Sequence, residues 1–261
     1  MEAIYEEREG FAKRHPYKFG HQVDPKTGHH AFSIHAVEDP PEGLGVLIGD
    51  ALYNFHSALD HLVWQFTLAN GNVPPNPIPL RSRWRNVAFP IFRDKPTDFR
   101  KKTARNLWGL TENARRFIAN EQPFAPGKGD PTLHPLWVLY ELSNADKHRT
   151  FHLTSHYLQW IRAVGSPMKE GQKLSVYPVS AGKFPGPFEK DTVLAVFGID
   201  PPQPELNFQP EAHLDIAFDK GSAPVEGVPV LRVLASIGAH IEELLKRARP
   251  HLPARVSAGK G

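Results

Sequence analysis

The spacing of apolar residues divides the chain into helical and strand-like segments. Apolar side chains three or four residues apart lie on one face of an α-helix, whereas side chains two residues apart lie on one face of a strand. With capping residues added, helical spacing predicts helices over residues 1–15, 49–70, 97–108, 111–120, 134–156 and 229–249. Alternation, or short runs of β-branched and aromatic residues, predicts strands over residues 17–23, 30–36, 158–164, 174–179, 192–199 and 212–218.

The order of these segments predicts an α+β fold, because helices and strands occupy separate stretches instead of alternating. We predict one domain over residues 1–253 and a flexible tail over residues 254–261. An N-terminal hairpin and the C-terminal half would supply an antiparallel β-sheet beside a helical-bundle core. The core comprises residues 46–156 and 229–249, and the β-rich layer comprises residues 17–37 and 157–220.

A proline-rich connection, residues 70–96, interrupts the helical part of the chain. Long connections without regular structure are uncommon inside domains and are often lids or binding loops. We expect Phe89, Ile91 and Phe92 to anchor this connection in the core.

Composition narrows the class of protein. Charged residues make up 23% and hydrophobic residues 40% of the chain, which is typical of a globular protein. The chain has no Cys, which excludes a disulfide scaffold, a thiolate metal site and a cysteine nucleophile. Its N-terminus is acidic and no apolar run approaches the ~20 residues of a membrane span, so we expect a cytoplasmic protein without a membrane partner. We expect no cofactor.

Positive charge is concentrated in residues 81–128. This segment has 12 Lys/Arg and 4 Asp/Glu, a local charge of 12 − 4 = +8, so the rest of the chain carries 3 − 8 = −5. Aromatic residues are interleaved with the cations, a pattern that favours a phosphate backbone with stacked bases. The alternative is a solvated basic face whose aromatic rings point inward. The candidate nucleic-acid-binding residues are Arg81, Arg83, Arg85, Arg100, Lys101, Lys102, Arg105, Arg115 and Arg116.

A second cluster of ionisable residues continues the predicted helix 134–156. On a helical wheel His148 and His152 share one side, while Asp146 and Arg149 share another. The helix 49–70 carries its own polar residues and is the expected neighbour. The candidate catalytic residues are Arg149, His152, His148, His156, Asp146, Asn144, Asp60, His61 and Asn54.

This cluster permits three interpretations. In the first, Arg steadies a phosphate's charge, His moves a proton, and Asp or Asn orients them. In the second, two His one turn apart bind a metal with carboxylates from the facing helix. In the third, the cluster is a buried Asp/Arg/His network that fixes the register of the helices in a non-catalytic interaction protein.

Four segments of the chain resemble a broad group of bacterial proteins without an assigned activity. The segments are GDALYN at 49–54, SALDHL at 57–62, FPI at 89–91 and LSNADKHR at 142–149. More distantly, the helical half resembles HEPN domains, helical bundles that are often dimeric. Ribonucleases of that family use an Arg, a polar residue after it and a His (R-x4–6-H), and Arg149, Thr150 and His156 have this spacing.

The HEPN resemblance implies a nucleic-acid-directed protein, a metal-independent ribonuclease that acts on RNA or another phosphate-bearing ligand as a homodimer. Arg149 would stabilise phosphate charge, and His152 or His156 would transfer the proton. The orienting residues would be Asn54, Asp60 and Asp146.

Overall fold

The computed structural model describes residues 1–148, 153–165, 171–178, 186–187, 192–201, 208–219 and 222–252. The helices are α1 (Glu2–Lys13), α2 (Gly43–Ala69), α3 (Phe99–Thr103), α4 (Glu112–Asn120), α5 (Pro135–His148) and α6 (Val230–Ala248), with 3₁₀ turns at Arg83–Asn86 and Arg249–His251. The strands are β1 (Tyr17–Val23), β2 (His30–Val37), β3 (Leu153–Gly165), β4 (Lys173–Pro178), β5 (Gly186–Pro187), β6 (Val193–Asp200) and β7 (Phe208–Phe218). The predicted α+β class is confirmed.

The strands form two antiparallel sheets, where the sequence predicted a single one. The first has the order β1-β2-β6-β4 and the second has the order β5-β3-β7. The long strands β3 and β7 pair with each other from Leu153 opposite Phe218 to Gly165 opposite Phe208. The hairpin β1-β2 instead pairs with β6 in the first sheet.

The chain forms two compact units. The β unit consists of Met1–Leu47 and Phe151–Leu231, and the helical unit consists of Ile48–Thr150 and Arg232–Gly261. The single domain predicted over residues 1–253 stays a prediction. In the part of the chain that the structure describes, no helix has the length and apolar character to span a membrane.

The core of the helical unit follows the predicted spacing. Of the predicted stripe along α2, Leu52, Leu59, Leu62 and Phe66 are each at most 4% exposed, whereas Phe55 is half-buried. Each such side chain contributes roughly 1.5–3 kcal/mol when it is fully buried. The core of the β unit contains a cluster of Ile34, Leu158, Leu194, Ala212 and Leu214.

Two predicted helices have different ends in the structure. The predicted helix 134–156 is wrong from Leu153 onward, because Leu153 pairs with Phe218 at the start of β3, and residues 149–152 lie outside the described residues. The helix 97–108 is wrong beyond Thr103, where α3 ends after five residues.

The helix α2 begins six residues earlier than predicted. Leu44 and Ile48 are buried and extend the spacing of four residues back from Leu52. Gly43, Gly45 and Gly49 occur in the same turns, and glycine has a low helix propensity. For this reason the local sequence did not predict the first turns.

Candidate functional site

A cleft on the helical unit brings two of the candidate residues together. It is lined by Ser57, Asp60, His61, Trp64 and Val87 and has a volume of about 300 Å³. Asp60, His61 and Trp64 follow Ser57 on α2 by three, four and seven positions, so the four residues project from one face of the helix. The wall opposite α2 is the chain segment around Val87.

The carboxylate of Asp60 holds this wall in place. The backbone N–H of Phe89 donates a hydrogen bond to Asp60 Oδ1 at 2.8 Å. Phe89 and Ile91 are buried, as the sequence predicted, and Phe92 is half-buried. The buried Gln122 continues the attachment, accepting from the N–H of Phe92 at 3.0 Å and donating to the carbonyl of Pro90 at 2.9 Å. The Phe-Pro-Ile segment is therefore hydrogen-bonded to α2 through Asp60 and to the turn after α4 through Gln122.

Three tryptophan rings lead from the cleft to the basic segment. Trp64 packs on Trp84 with ring centroids 5.0 Å apart, and Trp84 meets the edge of Trp108 at 5.2 Å. The guanidinium carbon of Arg83 lies 3.7 Å from the centroid of the Trp108 ring, a cation–π contact. Trp108 Nε1 also donates a hydrogen bond to the carbonyl of Arg83 at 3.2 Å. The three rings therefore form a continuous line of contacts from the cleft to the guanidinium group of Arg83.

The predicted basic residues are mostly at the surface. Eight of the nine are exposed, and Arg115 is half-buried. Burial and the neighbouring Arg100 lower the pKa of Arg115. Over the described ranges, none of the nine forms an ion pair with a carboxylate. This part of the helical unit therefore presents exposed positive charge, although Glu112 interacts electrostatically with Arg115.

The alternative of inward-pointing aromatic rings holds for part of this segment. Trp84 is 6% and Phe117 is 8% exposed, and Phe117 packs against Phe66 in the core. Phe99 is half-buried between Phe92 and Phe124. Trp64 and Trp108 keep part of their rings at the surface.

The candidate catalytic residues on α2 and α5 lie at separate places. A Cβ atom at Gly49 would be only 2.8 Å from Asp146 Oδ1, so the missing side chain lets that carboxylate approach α2. Asp60 is eleven residues further along α2, about 16 Å at 1.5 Å per residue. Asn54 is exposed between them. The carboxylates of Asp146 and Asp60 therefore do not meet in one pocket.

The remaining candidates are only partly described. Asn144 is half-buried on α5. His148 ends α5 and His156 lies in β3, but their side chains fall outside the described residues, as do Arg149 and His152 entirely. The proposed roles of these four residues stay predictions.

A histidine pair in the helical unit, the buried His134 and the half-buried His240, escaped the sequence-based prediction. His134 Nδ1 accepts a hydrogen bond from the N–H of Leu136 at 3.3 Å, and its ring meets that of His240 at 4.7 Å. Burial, with His240 and Lys128 adding to it, lowers the pKa of His134 to about 4. Burial also lowers the pKa of His240, whose Nε2 has no hydrogen-bond partner among the described residues.

A buried carboxylate lies close to this pair. Glu121 is 5% exposed and accepts two hydrogen bonds from Arg247, at 3.0 and 2.8 Å, and one from Lys128 at 3.1 Å. Burial opposes ionisation, but these hydrogen bonds outweigh it and lower the pKa of Glu121. The only sequence signal for the site was His134 directly before a proline at the first helical position.

The β unit has a buried ion pair that was also missed. Arg8 on α1 donates to Asp215 Oδ1 on β7 at 2.8 Å and to His213 Nε2 at 2.9 Å. Since guanidinium only donates, His213 accepts at Nε2 and carries its proton on Nδ1. Gln159 donates to Asp215 Oδ2 at 2.6 Å. Arg8 and Asp215 are 207 residues apart, so no local pattern could reveal the pair.

Comparison with known proteins does not add to these observations. No family model, curated protein or solved structure matches the chain. The resemblance to HEPN domains therefore remains an expectation. Within the described residues, no group of three or more His, Asp or Glu side chains could hold a metal ion. The proposed metal pair, His148 and His152, lies outside that description.

Proposed function

We propose that the helical unit binds RNA through its basic segment, which we call the basic surface and define by the nine candidate nucleic-acid-binding residues. The observation that carries the proposal is the concentration of exposed cations that lack carboxylate partners within the described residues. The phosphate backbone supplies the complementary charge, and release of its counterions drives such binding.

Three of the four acidic residues of the same segment support this proposal, because each is engaged by other groups, while the exposed Glu112 interacts electrostatically with Arg115. Asp94 pairs with Arg93 at 2.7 Å, and Asp98 accepts from the N–H of Lys101 as the cap of α3. Glu121 is occupied by Arg247 and Lys128. These carboxylates therefore leave the charge of the basic surface in place.

The test is RNA binding measured at several salt concentrations. Each phosphate contact to a single strand contributes about −0.7 to the slope of log K against log[salt]. Replacing Lys101 and Lys102 together by Ala should make the slope shallower by about 1.4 and weaken binding to all RNA sequences alike. Lys246→Ala is the matched control, since this exposed lysine of α6 is held by Glu242 and Glu243 outside the basic surface. Binding that is absent, or that does not depend on salt, would refute the proposal.

Acid–base cleavage of the bound RNA is the second candidate. The exposed His61 and the carboxylate of Asp60 line one cleft, and Trp64 connects that cleft to the basic surface. Histidine is the most common group for moving a proton near neutral pH. His61→Ala and Arg149→Ala should each abolish cleavage while folding and the salt dependence of RNA binding persist. Cleavage that survives both substitutions would leave RNA binding alone.

A further inference from the structure

We propose that the cleft beside Trp64 holds one unstacked nucleobase, so that the helical unit prefers single-stranded RNA to a duplex. The inference rests on the proposed RNA binding and specifies the form of RNA that is bound. Its occupant is a base attached to the phosphate backbone that the basic surface attracts.

The composition of the cleft suits a flat aromatic ligand. Trp64 is half-buried and His61 is exposed, and both line the same space of about 300 Å³ with Val87. Unstacked bases of single-stranded RNA commonly stack on aromatic side chains. Each stacked base increases the affinity whichever of the four bases it is. A base within a duplex is already stacked and paired, so it would have to be extruded first.

The indole ring of Trp64 is held in position before any ligand binds. Trp84, which is 6% exposed, packs on it at 5.0 Å with an angle of 56° between the rings. The N–H of Val87, in the opposite wall of the cleft, donates a hydrogen bond to the carbonyl of Trp84 at 3.3 Å. Both walls of the cleft are therefore in contact with Trp84. A preorganised site loses less entropy when its ligand binds.

The neighbouring charge argues for a nucleic acid over an uncharged aromatic ligand. Trp84 contacts Trp108, and Arg83 lies on the Trp108 ring at 3.7 Å. Arg81 and Arg85 flank Arg83 along the chain and are exposed. A strand whose base enters the cleft therefore has cations nearby for its adjoining phosphates.

The first experiment compares three labelled probes on the wild-type chain at one salt concentration. They are a single-stranded RNA, the same sequence as a duplex, and a strand of equal length with abasic sites. Base stacking is worth about 1–3 kcal/mol, so the single strand should bind roughly 5- to 150-fold more tightly than the abasic strand. Equal affinity for all three probes would overturn the base site while salt-dependent binding remained. Failure to bind any probe would refute both proposals.

The second experiment assigns the preference to the cleft. Trp64→Leu should bind the single strand and the abasic strand equally, with an unchanged salt slope. Trp137→Leu is the matched control, because this half-buried tryptophan stacks on Tyr140 of α5 and should keep the wild-type preference. If Trp64→Leu does not fold, His61→Ala at an exposed position replaces it. A preference for the single strand that is unaltered in the folded variant would overturn the assignment.

Discussion

Acidification should destabilise the helical unit through His134. The folded state lowers the pKa of this side chain from 6.5 to about 4, with burial as the main cause. The unfolded chain therefore binds more protons than the folded chain between pH 6.5 and 4. Stability contributed by the neutral ring is complete above pH 6.5 and is lost as the pH falls through this window. Protonation also removes the Nδ1 lone pair that accepts from the N–H of Leu136.

The size of the effect follows from the shift. A difference of 6.5 − 4 = 2.5 pKa units corresponds to about 3.4 kcal/mol at full protonation, at about 1.4 kcal/mol per unit. Applying the same linkage between pH 7 and pH 5 gives a loss of about 2 kcal/mol from His134. The pKa of His240 is lowered in the same direction, so its contribution adds to this loss.

Replacement of His134 by Asn isolates the effect. Asparagine is a favourable capping residue and can still accept from the N–H at the second position of α5, but it does not titrate. Urea unfolding should be followed by tryptophan fluorescence, because four of the five tryptophans belong to the helical unit. Between pH 7 and pH 5, the wild-type helical unit should lose about 2 kcal/mol more stability than His134→Asn.

The outcome that contradicts this reasoning is a pair of parallel stability curves. If the wild type and His134→Asn lose the same free energy of unfolding from pH 7 to pH 5, the ring is not held neutral by its surroundings. His15→Asn is the control, since His15 is an exposed histidine of the β unit. This variant should retain the wild-type pH dependence.

Three further substitutions test interactions within the helical unit or within the β unit. Gly109→Ala would put a Cβ atom 2.4 Å from Cγ2 of the buried Thr67, so the urea midpoint of the helical unit should fall by the equivalent of about 1–3 kcal/mol. Arg8→Met leaves the buried Asp215 without its guanidinium partner, and hydrogen exchange in β7 should show a loss of about 3 kcal/mol. Thr111→Ala removes the side-chain cap of α4 and should cost the helical unit about 1 kcal/mol in urea unfolding.

Local chemistry made some of the fold predictable. The helices predicted to begin near residues 97 and 111 have side-chain caps in the structure, since Asp98 and Thr111 each accept a hydrogen bond from a backbone N–H in the first turn. The end of α5 was not predictable in this way. The sequence after His148 continues a helix-compatible pattern, whereas β3 begins at Leu153 because it pairs with β7 more than 40 residues later. Which strands join which sheet depends on the same long-range pairing.

The candidate site was predictable only in its charge. A segment with 12 Lys/Arg and only 4 Asp/Glu indicates an exposed surface, and eight of the nine candidate nucleic-acid-binding residues are exposed. The cleft depends on the contact of Trp64 with Trp84 and on a carboxylate that binds backbone, features that residue spacing does not contain. Asp60 was expected to orient a reacting group, whereas its described hydrogen bond positions the Phe-Pro-Ile segment.

The Asp146 carboxylate and the cleft lie at separate places along α2, so substitutions can test their roles independently. Asp146 meets α2 at Gly49, whereas the cleft lies about three turns further along the same helix. Asp146→Asn should therefore leave the salt dependence and the single-strand preference of RNA binding unchanged. If Asp146→Asn abolishes cleavage, the reaction takes place at the α2–α5 contact and the cleft serves only binding. If His61→Ala alone abolishes cleavage, base recognition and proton transfer share the cleft, and the Asp146 carboxylate has a structural role.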